Sequence, residues 1–207
     1  MSIDPALERA LAEIAFPGTL IGHRIIAPGD EAALLPEEAR SISTSVGSAR
    51  RASGAARILG RELLGRLGLG AVAIPKGPDG APVWPAGISG SFAHDERVTV
   101  AVIGRTEETG SLGIDVEPAF ALPAETLDLV ATAAEKSRLG EDPYRGRLLF
   151  AAKEAVYKAA HPLDGQFLEF HDIEVDFDAR RAHVRNGRSV DLRFCVSTHL
   201  VALARTR

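Results

Sequence analysis

Cysteine, methionine and tryptophan each occur once in the 207 residues, and aromatic side chains make up only 5% of the chain. The single thiol, Cys195, excludes an internal disulfide and any metal centre built from several cysteines. Its place in the apolar run Leu192-Arg193-Phe194-Cys195-Val196 reads as a small core residue. No stretch of about 18 apolar residues is present, so no membrane-spanning helix is expected. The opening Met1-Ser2-Ile3-Asp4 lacks the basic-then-apolar order of a signal peptide, and a cytoplasmic location is the expectation. Positive charge is not in excess either. With 24 Lys and Arg against 28 Asp and Glu the formal net charge is −4, which argues against a general nucleic-acid binder. A dinucleotide fingerprint is missing as well, because Gly65, Gly68 and Gly70 run in the reverse of the required glycine order.

What is present is 45% apolar content, ordinary for a chain that buries a core as one large domain or two small ones. Between Ala49 and Gly68 the charge is locally reversed: Arg50, Arg51, Arg57, Arg61 and Arg66 face the single acid Glu62. That run is either an anion site or a solvated helix face. Helical spacing appears over Asp4 to Ala15, with Asp4 as N-cap, and over Glu37 to about Leu67 with an interruption. It returns after Pro123, through Leu127, Val130, Ala134 and Leu139, and from Tyr144 to Ala160, where His161-Pro162 closes the helix. Strands are expected at 19–27, 97–103, 111–117, 169–177, 182–184, 190–197 and 199–204, with an Asn186-Gly187 turn. The segment Ile74 to Pro85 is too rich in Pro and Gly for regular structure and reads as a shaped loop or hairpin. Ser91-Phe92-Ala93-His94 with the strand after it echoes Val196-Ser197-Thr198-His199 with its own strand. The echo suggests two similar α+β halves and a site between them.

Three local features bear chemistry. In Gly113-Ile114-Asp115-Val116-Glu117, residues two apart on a strand share a face, so the carboxylates of Asp115 and Glu117 converge while Ile114 and Val116 enter the core. The pair is either two solvated acids at a strand end or half of a hard-cation site. In Phe150-Ala151-Ala152-Lys153-Glu154-Ala155-Val156-Tyr157-Lys158-Ala159, Glu154 and Lys158 project from one helix face, as a surface ion pair or as a third acid beside a phosphate-binding cation. In the stretch from Lys76 and Trp84 to Gly90-Ser91-Phe92-Ala93-His94, glycines permit close backbone approach, and His94 is either structural or a donor to phosphate.

Their order along residues 45 to 175 resembles the phosphopantetheinyl transferases of the surfactin and enterobactin-synthase type, in particular the actinobacterial branch. The resemblance implies a monomer of two pseudo-twofold-related α+β halves, 1–108 and 109–207, each a small, mainly antiparallel sheet packed with helices. The active site would lie at their interface. It implies a holo-carrier-protein synthase that moves the 4′-phosphopantetheine arm of coenzyme A to a serine of an acidic, helical apo acyl or peptidyl carrier protein. The product would be 3′,5′-ADP, and neither nucleic acid nor membrane would be a partner. By the family pattern Asp115, Glu117 and Glu154 hold Mg²⁺, with Mn²⁺ as a substitute. Lys158 and Lys153 meet phosphate oxygens, His94, Arg57 and Arg50 hold the phosphates, and Lys76 lines the nucleotide pocket. Glu154 is the candidate general base, with Glu135 behind it. Two departures stand out. Ala93 occupies a position where many members carry Ser or Thr, and the segment before Arg57 is one residue short, which leaves Arg50 and Arg51 as equal candidates. The competing readings are a Mg²⁺-dependent phosphoesterase acting on coenzyme A or nucleotides, and a non-catalytic anion-binding or nucleic-acid-binding module.

Overall fold

The computed structural model describes residues 3–42 and 47–206. It is an α+β protein with two antiparallel sheets. The first is ordered β1-β3-β2, from Thr19–Ile25, Val98–Arg105 and Ile88–His94. The second is ordered β4-β8-β7-β6-β5, from Ser111–Pro118, His199–Thr206, Ser189–Val196, Arg181–Val184 and Ile173–Asp176. Helix α1, Pro5–Ile14, is capped by the Asp4 carboxylate, which accepts from the amides of Ala6 and Leu7. Its buried Leu7, Leu11 and Ile14 join Val100 and Val102 of one sheet and Ile114, Val116, Val201 and Leu203 of the other in one cluster. The two halves therefore share a core.

Each sheet also has a long helix on its outer face: α3, Gly47–Arg66, over β1 and β3, and α7, Arg145–Asp164, over β4 and β8, with the one-turn α4, Thr106–Thr109, joining β3 to β4. The halves meet along β2 and β4. There the Ser89 and Ser91 hydroxyls accept from the amides of Leu112 and Ile114 at 2.9 and 3.2 Å, so side chains extend the hydrogen bonding from one sheet edge to the next.

The two long helices are anchored by the same device. In the first half, Glu38 of α2 (Pro36–Ser41) accepts from its own cap amide at Leu35, from Arg61 of α3 and from the Ile74 amide, while Arg61 also donates to Ala33 O. In the second, Glu135 of α6 (Ala133–Arg138) accepts from its cap amide at Thr132, from Lys153 of α7 and from the Val175 amide, while Lys153 also donates to Val130 O. Both glutamates are the third residue of a short helix, and both carbonyls lie two residues before its cap. This correspondence marks the internal repeat more surely than the histidine echo. His94 ends β2, but His199 opens β8, so in strand register His94 corresponds to Val196 and not to His199.

Several expectations shift. The helix expected after Pro123 is two, α5 (Ala124–Val130) and α6, because Thr132 and Glu135 form a capping box that restarts the chain. The helix from 144 does not close at His161-Pro162. It runs to Asp164 with Pro162 inside its last turn, and Gly165 in the left-handed region ends it. The helix expected over 37–67 is α2 and α3, and its middle at 43–46 lies outside the described residues, as does Met1-Ser2. Ile88–His94 is a full strand although Ser89, Gly90 and Ser91 are poor strand formers; Trp84 lies where a Gly90 Cβ would stand, at 2.6 Å. Cys195 is half-buried, and burial pushes its thiol up to about 11.

The Glu135–Lys153 pair is buried, with Lys153 completely enclosed. Lys153→Ala leaves Glu135 charged and unmatched in the core, and a loss of about 3–5 kcal/mol in denaturant unfolding is expected. A loss under about 1 kcal/mol would show that the pair does not anchor the helix.

Candidate active site

The site is set by how closely β4 and α7 approach. A Cβ at Gly113 would stand 2.0 Å from the Ala155 carbonyl oxygen and 2.6 Å from the Ala159 nitrogen, so only glycine on the strand, opposite alanines on the helix, allows this contact. Alternation then points Asp115 and Glu117 to the same side as Gly113, while Leu112, Ile114 and Val116 fill the shared core. On α7 the residues Arg147, Ala151, Glu154 and Lys158 fall at i, i+4, i+7 and i+11, one stripe facing those acids.

Lys158 Nζ donates to Asp115 Oδ1 at 2.6 Å and to the Ile114 carbonyl at 3.3 Å. Of the two readings of Glu154 and Lys158, the surface ion pair is not formed, and Lys158 bonds from helix to strand instead. Asp115 Oδ2 is buried with no hydrogen-bond partner. Glu117 is held by Arg147, whose Nη1 lies 2.7 Å from Oε2 and whose Nε donates to Phe120 O at 2.9 Å. Burial raises the pKa of Asp115, and Lys158 only partly offsets it. Burial also raises Glu117, against the Arg147 bond, and the Asp115 charge raises it further. Glu154 is raised by burial and then by Asp115, with Lys158 opposing; among the described residues it has no ion-pair or hydrogen-bond partner. Asp115 is the hub: it acts on both glutamates, and the charge of His94 acts on it.

Three cavities are each lined by at least one residue that interacts with Asp115. One of about 830 Å³ lies between the hairpin at 77–84, β2 and α7, and Lys158 and Tyr157 are on its wall. A second, about 360 Å³, is lined by Glu154 and Tyr157 with Leu129, Phe167 and Phe170. A third, about 1020 Å³, contains His94, Glu117, Arg147 and Arg51. Among the described residues no three His, Cys, Asp or Glu stand close enough to form a metal cluster, and Lys158 and Arg147 each occupy one of the acids. The donor set nonetheless suits a hard divalent cation. Burial raises the pKa values of all three acids, the Asp115 charge raises those of the two glutamates further, and one buried carboxylate oxygen lacks a partner.

The remaining expected residues divide. His94 is exposed at the end of β2 on the third cavity. Arg57 is buried on α3, donates through Nε to Ile74 O at 3.1 Å and lies over Phe92, with its pKa lowered by burial. Arg51 lines the third cavity beside His94, whereas Arg50 donates to the Ile42 carbonyl and does not line it. Lys76 starts the hairpin, bridged to Pro82, and its neighbours from Gly77 to Trp84 line the first cavity while Lys76 itself does not. Lys153 is a correction. All three of its protons are taken by Val130 O, Glu135 and Phe170 O, which leaves none for a phosphate oxygen. Glu135 is corrected with it, since the same knot and two backbone amides occupy its carboxylate. Arg147 was not foreseen. Its position seven residues before Glu154, two helical turns away, is the signal that marks it.

Fold and site together define a two-half α+β protein whose interface carries desolvated acids matched by fixed cations, suited to a polyanionic ligand that brings or shares a metal. Residues 37–104 match the 4′-phosphopantetheinyl transferase N-terminal domain and residues 111–204 match the 4′-phosphopantetheinyl transferase superfamily. The chain is 38% identical over 159 residues to the transferase Svp of Streptomyces mobaraensis, covering 73% of this chain and 65% of that protein. It is 38% identical over 148 residues to PptT of Mycobacterium tuberculosis (70% of this chain, 65% of PptT). With Npt of Nocardia iowensis the identity is 37% over 155 residues, 73% of this chain and 70% of Npt. The chain belongs to the 4′-phosphopantetheinyl transferase superfamily. It spans 65% of the length of Svp and of PptT.

Gly113→Ala drives a methyl into the α7 backbone, and a loss of about 1–3 kcal/mol or outright misfolding is expected in urea unfolding. Unchanged stability would mean that the strand and helix have slack. The acids give a second expectation. Burial holds protons on them, so between the ordinary carboxylate range and their raised values the folded chain binds more protons than the unfolded one, and stability falls as pH rises through that window. Added Mg²⁺ should therefore raise the unfolding midpoint above the window and have little effect below about pH 4, where the acids are protonated. An equal shift at both pH values would remove the acids from cation binding.

Proposed function

We propose that this chain transfers the 4′-phosphopantetheine arm of coenzyme A to a serine of an apo acyl or peptidyl carrier protein and releases 3′,5′-ADP. The observation that supports this reading is the Asp115–Lys158 pair, with Lys158 on the wall of the first cavity, in a chain of this family. The serine oxygen forms a bond to the β-phosphorus, the bond from that phosphorus to the bridging oxygen breaks, and the electron pair leaves with 3′,5′-ADP. Such transfers are governed by positioning and charge neutralisation.

Asp115, Glu117 and Glu154 would hold Mg²⁺, which supplies charge neutralisation on the diphosphate when bound. Lys158, already preorganised by Asp115, turns its ammonium toward phosphate oxygens from the wall of the first cavity. His94, with Arg51 beside it, serves the phosphates from the third cavity, and Arg57 adds a buried guanidinium on α3. The narrow apolar groove at Leu129, Tyr157, Phe167 and Phe170 suits the slender pantetheine arm, and Glu154 on its wall receives the serine proton directly or through a water. On this reading residues 1–108 supply most of the nucleotide contacts and residues 109–207 the acids. The protein acts as a cytoplasmic monomer.

Incubation with coenzyme A, Mg²⁺ and a panel of apo-carriers, read by intact mass, tests the reading. A phosphopantetheine mass gain supports it, whereas hydrolysis of coenzyme A without any gain would make the chain a phosphoesterase. Lys158→Ala should lower turnover at saturating coenzyme A by about 10² to 10³, the usual cost of one preorganised charge contact. Turnover within about threefold of the parent, in protein shown to be folded, would return Lys158 to a purely structural role.

A further inference from the structure

His94 is exposed, and its one side-chain contact among the described residues is a weak one, Nδ1 at 3.3 Å from the Asp95 carbonyl. Its position is therefore set by the turn that follows it. Asp95 shapes that turn, since Oδ1 accepts from the amides of Arg97 and Val98 at 2.7 and 2.8 Å. The other oxygen, Oδ2, crosses to the second half and meets Nε2 of His199 at 3.1 Å. His199 is 2% exposed. Its Nδ1 lies 3.2 Å from Thr198 Oγ1, which donates to Asp4 Oδ2 at 2.7 Å. A carboxylate only accepts, so Nε2 of His199 is the donor toward Asp95. Burial alone would raise the Asp95 pKa, yet the bonds from His199, Val98 and Arg97 hold it below the ordinary value. Asp95, Thr198 and His199 all line the third cavity with His94 and Glu117.

We propose that Asp95 and His199 form a clasp across the two halves that positions His94 over the acid site. The inference rests on the transferase reading of His94. The clasp fixes the turn at its tip, where the Ser89 and Ser91 stitching to β4 does not reach.

Asp95→Asn is the sharp test, because the amide keeps the Oδ1 acceptor for the turn and places a donor where His199 also donates. In the parent a fall in kcat/KM for coenzyme A of about 10- to 100-fold is expected, the scale of a misplacement near 1 Å. In a His94→Ala background the same substitution should cost less than about threefold, since nothing remains to position. The same loss in both backgrounds, or none in the parent, overturns the proposal. His199→Gln, which keeps a donor toward Asp95, should retain more activity than His199→Ala; equal losses also count against it. A parent that modifies no carrier would sink the transferase reading instead. The clasp is then read by amide hydrogen exchange of residues 95–98, which Asp95→Asn should accelerate, and unchanged exchange would rule the clasp out.

Discussion

The contact on which the site depends is the one between Gly113 and the Ala155–Ala159 turn of α7. A strand and a helix normally stand off by the thickness of their side chains. Here the strand offers no Cβ and the helix only methyls, so the two backbones touch. Every distance in the site follows. Asp115, two residues on, is carried deep enough to be desolvated, and Lys158, one residue from Ala159, reaches it from the helix without solvent between them. A bulkier interface would move the ammonium away and leave the carboxylate wet, with an ordinary affinity for protons. The raised pKa values of the three acids are thus a consequence of packing before they are a consequence of charge.

How much of this was legible in the sequence depends on what kind of signal a residue leaves. Alternation in Gly113 to Glu117 and the spacing of Glu154 and Lys158 are short-range and survived intact. The family resemblance places Lys153 on phosphate oxygens together with Lys158, yet Lys153 adjoins Glu154, and neighbours on a helix are about 100° apart and face different ways. Its stripe is Leu149, Lys153, Val156 and Ala160, all enclosed, and a lysine in such a stripe announces a buried partner. That partner, Glu135, was visible as the third residue of a capping box whose threonine also breaks the helix expected after Pro123. Strand β2 was hidden for a different reason. Its serines are there for the amides of β4, 23 positions on, and its glycine for the ring of Trp84 in the preceding loop, and strand propensity registers neither.

The buried ion-pair knots explain why both halves tolerate a polar interface. A glutamate that caps its own short helix, binds a cation from the long helix and takes a further backbone amide has its acceptor sites filled, so its burial leaves no uncompensated charge. Arg61 and Lys153 perform this task in the two halves, one as a guanidinium and the other as an ammonium. The difference follows local geometry: Lys153 collects three acceptors converging on a point, whereas Arg61 spreads its donors between both oxygens of Glu38 and the Ala33 carbonyl.

The repeat also shows why the three desolvated acids lie in the second half. Strand β1 corresponds to β4 as the outer partner of its central strand, with Gly22 opposite Ala101 where β4 has Gly113 opposite Ala204. Gly22, however, faces Leu59 and Leu63 of α3, and a Cβ there would stand 3.3 Å from a flexible leucine methyl where Gly113 meets backbone. The helix of the first half therefore rides on leucines and stays further out. Two residues beyond Gly22, Arg24 is drawn to Asp30 in its own half, at 2.6 Å, so the place that Asp115 takes after Gly113 on β4 is held by a cation on β1. Leucine under one helix and alanine under the other separate a half that supports from a half that holds the acids. The close packing that desolvates Asp115 is what the first half lacks.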